Sequence, residues 1–280
     1  MSIELSLIQT SQNRRGELQR FVESLNSQVG IDFNKIQLIF VDQENNRDVF
    51  DKLNPQIKFD YIKYHHCSLS HARNVAIQHV GGRYVAFPDD DCWYEPDTLS
   101  KVLDYFEADT YDGVNCKGCN AEGKLTSIFP DKAAELTMTK RCAAISYTLF
   151  FRFNPEVRFD ENMGVGSPYN IGSGEETDYL LTLMEKGYKV YYDPNIIVHH
   201  PTGDIYDKDA ILRKTYSYAR GAGYFLRKHN FPTSYKLSFI CRPLLGTVVN
   251  ALKLNGYKSH KSFNRFKGCL EGYFFKTEKQ

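Results

Sequence analysis

Apolar and polar positions alternate in blocks along the first 108 residues of the chain. Apolar runs that end in polar residues predict four buried strands, at 3–11, 36–45, 59–66 and 83–91. Between and after them, apolar residues recur every three or four positions, as on one face of a helix, at 15–28, 68–80 and 95–108. Strands that alternate with helices predict an α/β fold with a mostly parallel sheet and helices on both faces.

The middle of the chain has a less regular pattern. Residues 112–129 predict a hairpin region, and residues 143–153 predict a long strand. A glycine-rich loop at 160–174 leads into a predicted helix at 175–187, and a strand or a strand pair follows at 188–201.

The charges are unevenly distributed, although the formal net charge of the 280 residues is only +1. Residues 1–204 hold 20 Lys/Arg against 30 Asp/Glu, whereas residues 205–280 hold 15 against 4. We therefore expect two domains, the second a basic and aromatic helical extension, that meet different partners. No nucleic-acid motif accompanies this charge, so we expect no nucleic acid as a partner. Helices with basic and apolar residues bind anionic membrane surfaces, and a solvated helical cap is the alternative.

The cysteines and the apolar segments bear on the cellular compartment. The number of cysteines is odd, and Cys116 and Cys119 form one C-x-x-C with no second pair, which favours free thiols in a reducing cytosol over a zinc site. The N-terminal segment turns polar too soon for a signal peptide, and no apolar run is long enough to span a membrane. We expect a cytoplasmic protein, at most peripheral on the inner face of the cell membrane.

Three aspartates in a row, Asp89, Asp90 and Asp91, follow the fourth predicted strand. Adjacent carboxylates repel one another, so a positive partner is needed to neutralise them. The three aspartates are poorly explained as caps of the next helix. That helix is predicted to begin near Pro96, which is too far along the chain for all three carboxylates to reach its first turn. A hard divalent cation that also binds a diphosphate suits such a set of oxygen ligands.

Other polar residues also close predicted strands. Ligands of parallel α/β sheets bind beyond the carboxyl ends of the strands. Thr10 and Asp42 lie at two such ends, as the aspartate triplet does at a third. These side chains are therefore placed to converge on one site.

Three further motifs carry candidate chemistry. In GSGEETD (172–178) the glycines let a loop move and approach a ligand, and a carboxylate at the start of a helix suits a general base as well as the helix dipole. His199 and His200 end an apolar run, where imidazoles serve either as structural groups or as ligands of ions such as Mn²⁺. Arg73, in the predicted helix at 68–80, suits a phosphate or pairs with a surface carboxylate.

In their order along the chain, the motifs are Thr10, Asp42, LSHARN (69–74), PDDD (88–91), GEETD (174–178) and VHHP (198–201). This order resembles that of the family 2 (GT-A fold) glycosyltransferases of bacterial polysaccharide assembly, over about residues 3–204. The resemblance implies a GT-A (Rossmann-like) mixed, mostly parallel sheet flanked by helices. It also implies a nucleoside-diphosphate sugar donor, a UDP-sugar first of all, and a divalent metal ion, Mn²⁺ or Mg²⁺. The acceptor would be a glycan or a lipid-linked glycan, and transfer would invert the anomeric carbon.

The resemblance further implies roles for individual residues, with Asp89 and Asp91 as the outer members of an Asp-x-Asp motif. The residues that would bind the nucleotide-sugar are Thr10, Asp42, Arg73, Asp89 and Asp90, with Asp42 on the base. Those that would bind the metal are Asp91, Asp89 and His200, or His199 if the register shifts. The family usually shows Glu-Asp where this chain has Glu-Glu, so the candidates for the catalytic base are Glu176, then Asp178, with Glu175 beside them. Trp93 and Tyr94 would contact a sugar or the acceptor.

The sequence alone leaves two alternative functions open. A sugar nucleotidyltransferase also has a parallel sheet and metal-bound aspartates, but QTSQNRRGE (9–17) matches its glycine-rich basic loop poorly. A non-catalytic module that binds a nucleotide-sugar or a glycan would have lost its base, whereas Glu175, Glu176 and Asp178 are present.

Overall fold

The protein was analysed as a computed structural model that describes residues 2–140, 144–203 and 207–276. The chain divides into two compact units. The first contains Met1–Cys67, His71–Arg158 and Leu183–Thr202, and the second contains Ser68–Ser70, Phe159–Thr182 and Gly203–Gln280. The predicted domain boundary at 204/205 and the first residue of the predicted strand 143–153 lie outside the described residues. The division into domains 1–204 and 205–280 therefore stays a prediction.

The first unit is built on a mixed, mostly parallel sheet, which confirms the predicted fold class. Its strands are β1 (Leu5–Ser11), β2 (Ile36–Asp42), β3 (Lys58–Lys63), β4 (Tyr84–Ala86), β5 (Trp93–Tyr94), β6 (Gly113–Cys119), β7 (Ala134–Glu135), β8 (Leu149–Arg152) and β9 (Val190–His199). They lie in the order β3-β2-β1-β4-β8-β6-β9-β5, and β7 pairs with β9. The first four strands in this order are parallel, as are β6 and β9, whereas β8 is antiparallel to both β4 and β6.

The core of this unit follows from the apolar periodicity. Strands β1 and β2 are buried along their whole length, as expected for strands covered on both faces. Helices α1 (Arg15–Asn26) and α3 (Thr98–Glu107) contribute their apolar stripes to the same core. The core residues of these two helices are Leu18, Phe21, Val22, Leu25, Leu99, Val102 and Phe106. Helix α2 (Leu69–Ile77) follows β3.

The predicted elements differ from the structure where strands pair at long range. The strand predicted at 83–91 is limited to β4, so the aspartate triplet lies in the turn that follows it. The predicted hairpin region at 112–129 contains an antiparallel bridge between Cys119 and Leu125. It also contributes β6, whose strand partners β8 and β9 are distant in sequence. The segment predicted at 188–201 is one strand, β9, with a register shift opposite Cys116 and Lys117.

The second unit is helical. It contains the start of α4 (Glu175–Glu185), and then α5 (Lys208–Lys228), α6 (Thr233–Leu252) and α7 (Gly256–Phe274). Helices α5 and α7 pack backbone to backbone through glycine, since a Cβ atom at Gly223 would lie 1.9 Å from the carbonyl oxygen of Cys269. The predicted helical extension is confirmed for the described residues. Over the same residues, no helix combines the length and the apolar character needed to cross a membrane.

Candidate functional site

The aspartate triplet lies at the carboxyl edge of the parallel strands. Ser11 closes β1 and is aligned with Asp42, which closes β2. The Ser11 Oγ donates a hydrogen bond of 2.7 Å to Asp90 Oδ2, and thereby ties the turn after β4 to the end of β1. Asp90 is thus held at the edge where the strand pattern places it.

A second pairing brings His200 to the triplet. Strand β5 is antiparallel to β9, with Trp93 opposite His199, so the residues before Trp93 meet the residues after His199. His200 Nε2 lies 2.8 Å from Asp91 Oδ1. Asp89, Asp91 and His200 each offer one ligand atom, and these atoms lie within 4.8 Å of one another. Two carboxylates and an imidazole are a donor set that suits a divalent cation.

Two arginines offset the charge of the triplet. The Arg14 Nη1 donates a short hydrogen bond to Asp91 Oδ2, and its Nε lies 3.7 Å from Asp90 Oδ1. The buried Arg73 donates to Asp89 Oδ1 at 3.0 Å, and the hydroxyl of Ser146 donates to the same oxygen at 2.8 Å. Asp89 is therefore fixed in position by a guanidinium and a hydroxyl.

The electrostatics differ along the triplet. Burial raises the pKa of Asp90 to about 6, against the hydrogen bond from Ser11 and the charge of Arg14. Burial also tends to raise the pKa of Asp91, but His200 and Arg14 outweigh it, so this pKa lies below its usual range. Burial lowers the pKa of His200, but Asp91, Asp89 and the backbone of Pro201 together raise it above its usual value. Asp91 is thus ionised at neutral pH, the form in which a carboxylate binds a cation.

His199 lies outside this cluster. Its Nε2 is 3.2 Å from Glu95 Oε1, its Nδ1 is 3.3 Å from the carbonyl oxygen of Asn120, and its ring stacks on Trp93 with centroids 5.1 Å apart. The guanidinium of Arg20 also lies over the Trp93 indole, 4.0 Å from the ring centroid. The ring of Trp93 is therefore covered by protein groups.

Tyr94 lies in the core, where only 4% of the residue is exposed. Its ring packs near Phe21 and Phe150, with centroids 5.8 and 6.3 Å away. Burial raises the pKa of its hydroxyl well above the usual value. Packing in the core accounts for Tyr94, and a sugar contact does not fit this placement.

Asp42 and Thr10 are both buried at their strand ends. The Asp42 carboxylate accepts hydrogen bonds from the backbone of Glu44 (2.9 Å) and Asn46 (2.7 Å), the side chain of Asn46 (3.0 Å) and the hydroxyl of Tyr61 (2.9 Å). Burial and the bond to Asp42 raise the pKa of Tyr61 to about 12. Asp42 therefore folds the loop after β2, as an aspartate does in an Asx turn.

The other acidic group, at the start of α4, belongs to the second unit. Glu175 is buried and Glu176 is half-buried. Asp178 is fully buried, with Lys228 Nζ 2.8 Å from its Oδ2 and His229 Nε2 2.9 Å from its Oδ1. The Asp178 carboxylate is thus enclosed by two basic groups at the end of α5.

Four residues that contact the aspartate triplet or His200 were not predicted from the sequence. Arg14 and Ser146 donate to carboxylates of the triplet, and Arg20 donates to the carbonyl oxygen of Asp91. The ring of Tyr147 stacks on that of His200, with centroids 4.6 Å apart. Arg14 and Arg15 stand at the N-terminus of α1, where the helix dipole disfavours cations. Two arginines at such a position indicate nearby carboxylates and could have revealed Arg14. Nothing in the local pattern distinguishes Ser146 or Tyr147.

Comparisons with known proteins agree with this geometry. A family model described as "Glycosyl transferase family 2" matches residues 6–172, more than half of the chain. A mannosyltransferase from Pyrobaculum calidifontis, solved with GDP-Man and Mn²⁺, has a TM-score of 0.65 and 12% identity, covering 98% of this chain and 88% of that one. S. aureus TarS has a TM-score of 0.58 and 16% identity over 92% of this chain, which spans only 55% of that TarS chain.

A shorter TarS structure, residues 1–349 with UDP, has a TM-score of 0.55 and 17% identity over 97% of this chain and 90% of its own. At these identities, the similar structures establish the fold. The extent of the family match establishes more. This chain is a member of glycosyl transferase family 2 and has the GT-A fold.

Proposed function

We propose that this protein transfers a sugar, with inversion, from a nucleoside-diphosphate sugar to a hydroxyl of a glycan or a lipid-linked glycan during surface polysaccharide synthesis. The observation that carries the proposal is the cluster of Asp89, Asp91 and His200 at the carboxyl edge of the sheet. Structures similar to this chain were solved with UDP, UDP-GlcNAc and GDP-Man. Two of these three ligands are uridine nucleotides, which makes a UDP-sugar our first choice of donor.

The same cluster is proposed to hold a divalent ion, Mn²⁺ or Mg²⁺. Carboxylate oxygens suit both ions, and the imidazole favours Mn²⁺. A similar mannosyltransferase structure contains Mn²⁺. When bound, such an ion supplies positive charge for a departing diphosphate. The chain fixes the ligands, since Arg73 and Ser146 hold Asp89, and the carbonyl oxygen of Pro201 lies 2.7 Å from His200 Nδ1.

Four further residues are proposed to act on the donor. Thr10 and Asp90 would contact it directly, as the family resemblance implies. Arg73 would lie near the donor and act through Asp89, because its buried guanidinium donates to that carboxylate. Asp42 would act on the nucleoside through the loop that it folds, because its carboxylate already accepts four hydrogen bonds. Asp42 is in that sense a positioning residue.

Glu176 is proposed as the catalytic base. It would take the proton from the acceptor hydroxyl while that oxygen attacks the anomeric carbon on the face opposite the diphosphate. The bond from carbon to the diphosphate oxygen breaks with its electron pair on the leaving group, and one such displacement inverts the centre. Glu176 is half-buried, whereas the Asp178 carboxylate is taken up by Lys228 and His229, which favours Glu176 over Asp178.

The distribution of charge supports a proposal for where in the cell the protein acts. Helices α5, α6 and α7 of the second unit are rich in Lys and Arg and poor in acidic residues. Such a surface is attracted to anionic lipid headgroups and would bring the enzyme to a lipid-linked acceptor. We therefore propose a cytoplasmic enzyme that binds peripherally to the inner face of the cell membrane.

The test replaces Glu176 with Gln, which removes the base and keeps the size of the side chain. Turnover of UDP-sugars, with water as a slow acceptor and measured as UDP release, should fall about a hundred- to ten-thousandfold. Calorimetric binding of UDP with Mn²⁺ should not change. The matched control is Glu185→Gln, at the exposed far end of α4, which should turn over at the wild-type rate.

Equal turnover by the wild type and Glu176→Gln would refute the assignment of the base. Tight UDP binding without turnover of any UDP-sugar by the wild type would favour a binding module instead.

A further inference from the structure

Helix α6 exposes a long apolar surface. Of its residues, all of which are described, Ile240 alone is buried. Six exposed apolar residues form what we call the α6 stripe: Leu237, Leu244, Leu245, Val248, Val249 and Leu252. They follow one another at helical spacing and therefore share one face of the helix. Leu245 is 68% exposed and Leu252 is 79% exposed, so neither takes much part in holding the unit together.

The opposite face of α6 packs on α7. The Ser259 hydroxyl donates a hydrogen bond of 3.0 Å to the carbonyl oxygen of Thr247, and Asn250 Nδ2 lies 3.4 Å from Ser262 Oγ. Thr247 and Asn250 lie on the far side of the helix from the α6 stripe, at the 3.6 residues per turn of an α-helix. The stripe therefore has a function other than packing α6 on α7, and a contiguous exposed apolar surface marks a site of interaction.

The charge around the stripe identifies the kind of partner. The 61 residues from 210 to 270 contain twelve Lys/Arg and no Asp/Glu. Arg242 on α6 and Lys253, which directly follows the last residue of α6, are exposed beside the stripe. On α7, the exposed Lys258, Lys261 and Arg265 recur at helical spacing and share a face. An apolar face flanked only by cations complements a surface that is apolar inside and anionic outside, which describes an acidic lipid leaflet.

We propose that α6 lies flat in the interface of an anionic membrane. The α6 stripe enters the boundary of the acyl chains, and Arg242 and Lys253 reach the phosphates at the level of the headgroups. A second copy of this chain fits less well, because two such faces would bring like charges together. The inference rests on the membrane association proposed above and is independent of the transfer reaction.

The test measures binding of the full chain to vesicles by co-sedimentation. Phosphatidylcholine vesicles are compared with vesicles that also contain phosphatidylglycerol, and only the latter should bind the wild type tightly. Replacing Leu245 and Leu252 together with Gln should weaken binding about a hundredfold, at about tenfold for each leucine removed from lipid. Replacing Arg242 and Lys253 with Gln should weaken it about thirtyfold. The matched control is Ile128→Gln, which changes an apolar side chain that is 89% exposed in the first unit and should leave binding unchanged.

Three outcomes would overturn the proposal. The first is binding of the leucine double variant to acidic vesicles as tight as that of the wild type. The second is no binding of the wild type to acidic vesicles. The third is a wild-type dimer, detected by light scattering without vesicles, that the leucine substitutions dissociate, since a second copy would then cover the stripe.

UDP binding with Mn²⁺ is measured in the same proteins. If the wild type binds UDP but not acidic vesicles, this inference fails and the proposed transfer reaction stands. If it binds acidic vesicles but not UDP, this inference stands and the proposed transfer reaction fails.

Discussion

Asp91 in the first unit and Asp178 in the second have almost the same partners. Asp91 lies 2.8 Å from a histidine nitrogen and accepts a short hydrogen bond from an arginine. Asp178 lies 2.9 Å from a histidine nitrogen and 2.8 Å from a lysine nitrogen. Each has a further carboxylate nearby, so residue types alone do not distinguish the two clusters.

Access distinguishes them. The side chains of Asp178 and His229 are 1% and 2% exposed, so the pair is closed to any ligand. Around Asp91, the side chains of His200 and Arg14 are 24% and 48% exposed. The partners in a closed ionic cluster depend on one another for stability, because removing one of them leaves the other buried without its partner. An open one can exchange a protein cation for a metal ion.

The largest effect is expected from a substitution in the open cluster around Asp91. We expect Asp91→Asn to weaken the Mn²⁺-dependent binding of UDP by at least about a hundredfold, since even the outer partners of metal ligands contribute about ten- to a hundredfold. The free energy of unfolding should fall by no more than about 1 kcal/mol, because Arg14 is about half exposed and keeps Asp90 as a partner. Calorimetry with and without Mn²⁺, together with urea unfolding, checks both parts. Unchanged metal-dependent binding would contradict the assignment of Asp91.

The same substitution in the closed cluster should have the opposite signature. We expect Asp178→Asn to lower the free energy of unfolding by about 1.5–3 kcal/mol, since Lys228 and His229 lose a buried carboxylate partner while Lys228 keeps Asp160. UDP binding by the folded protein should persist. Loss of turnover at wild-type stability would instead mark Asp178 as the base and reverse the comparison.

A smaller effect is expected on the pH dependence of stability. It involves Asp160, whose Oδ2 lies 3.0 Å from Lys228 Nζ at the more exposed side of the closed cluster. Burial raises the pKa of Asp160, but Lys228 and the hydrogen bonds from Asn162 and Tyr224 together outweigh it, so this pKa lies below its usual value. Burial lowers the pKa of Lys228, but Asp178 and Asp160 raise it by more. The stability from Asp160 is therefore present above its unfolded pKa, about 3.9, and is lost as pH falls through the folded value.

We compare the wild type with Asp160→Asn by urea unfolding as a function of pH. The difference in free energy should be no more than about 1 kcal/mol, because Lys228 is partly exposed to screening solvent. It should be constant near neutral pH and shrink in acid. A difference that grows as the pH falls would contradict the direction given for Asp160.

The sequence predicted the fold where its determinants are local. The buried runs of β1 and β2 and the apolar stripes of α1 and α3 are visible in the order of residues, because burial has the period of the element. The places of β6, β8 and β9 depend on pairing between segments far apart in sequence. The predicted strand at 143–153 contains β8, but its apolar run does not show that β8 pairs with β4 and β6.

The candidate site divides in the same way. The Asp89–Asp91 triplet stands out because adjacent carboxylates need a partner, and His200 stands out at the end of an apolar run. The pairing of β5 with β9 brings these two together, and the sequence left His199 and His200 as alternatives. Burial, which the sequence does not show, sets Tyr94 in the core and encloses Asp178.

The central claim is that Asp89, Asp91 and His200 bind the ion that a nucleoside diphosphate joins. Anomalous diffraction from a crystal soaked with Mn²⁺ and UDP tests it most directly. We predict a manganese peak in contact with all three side chains and with the diphosphate. A bound UDP with manganese at other residues, or with no manganese, would contradict the claim.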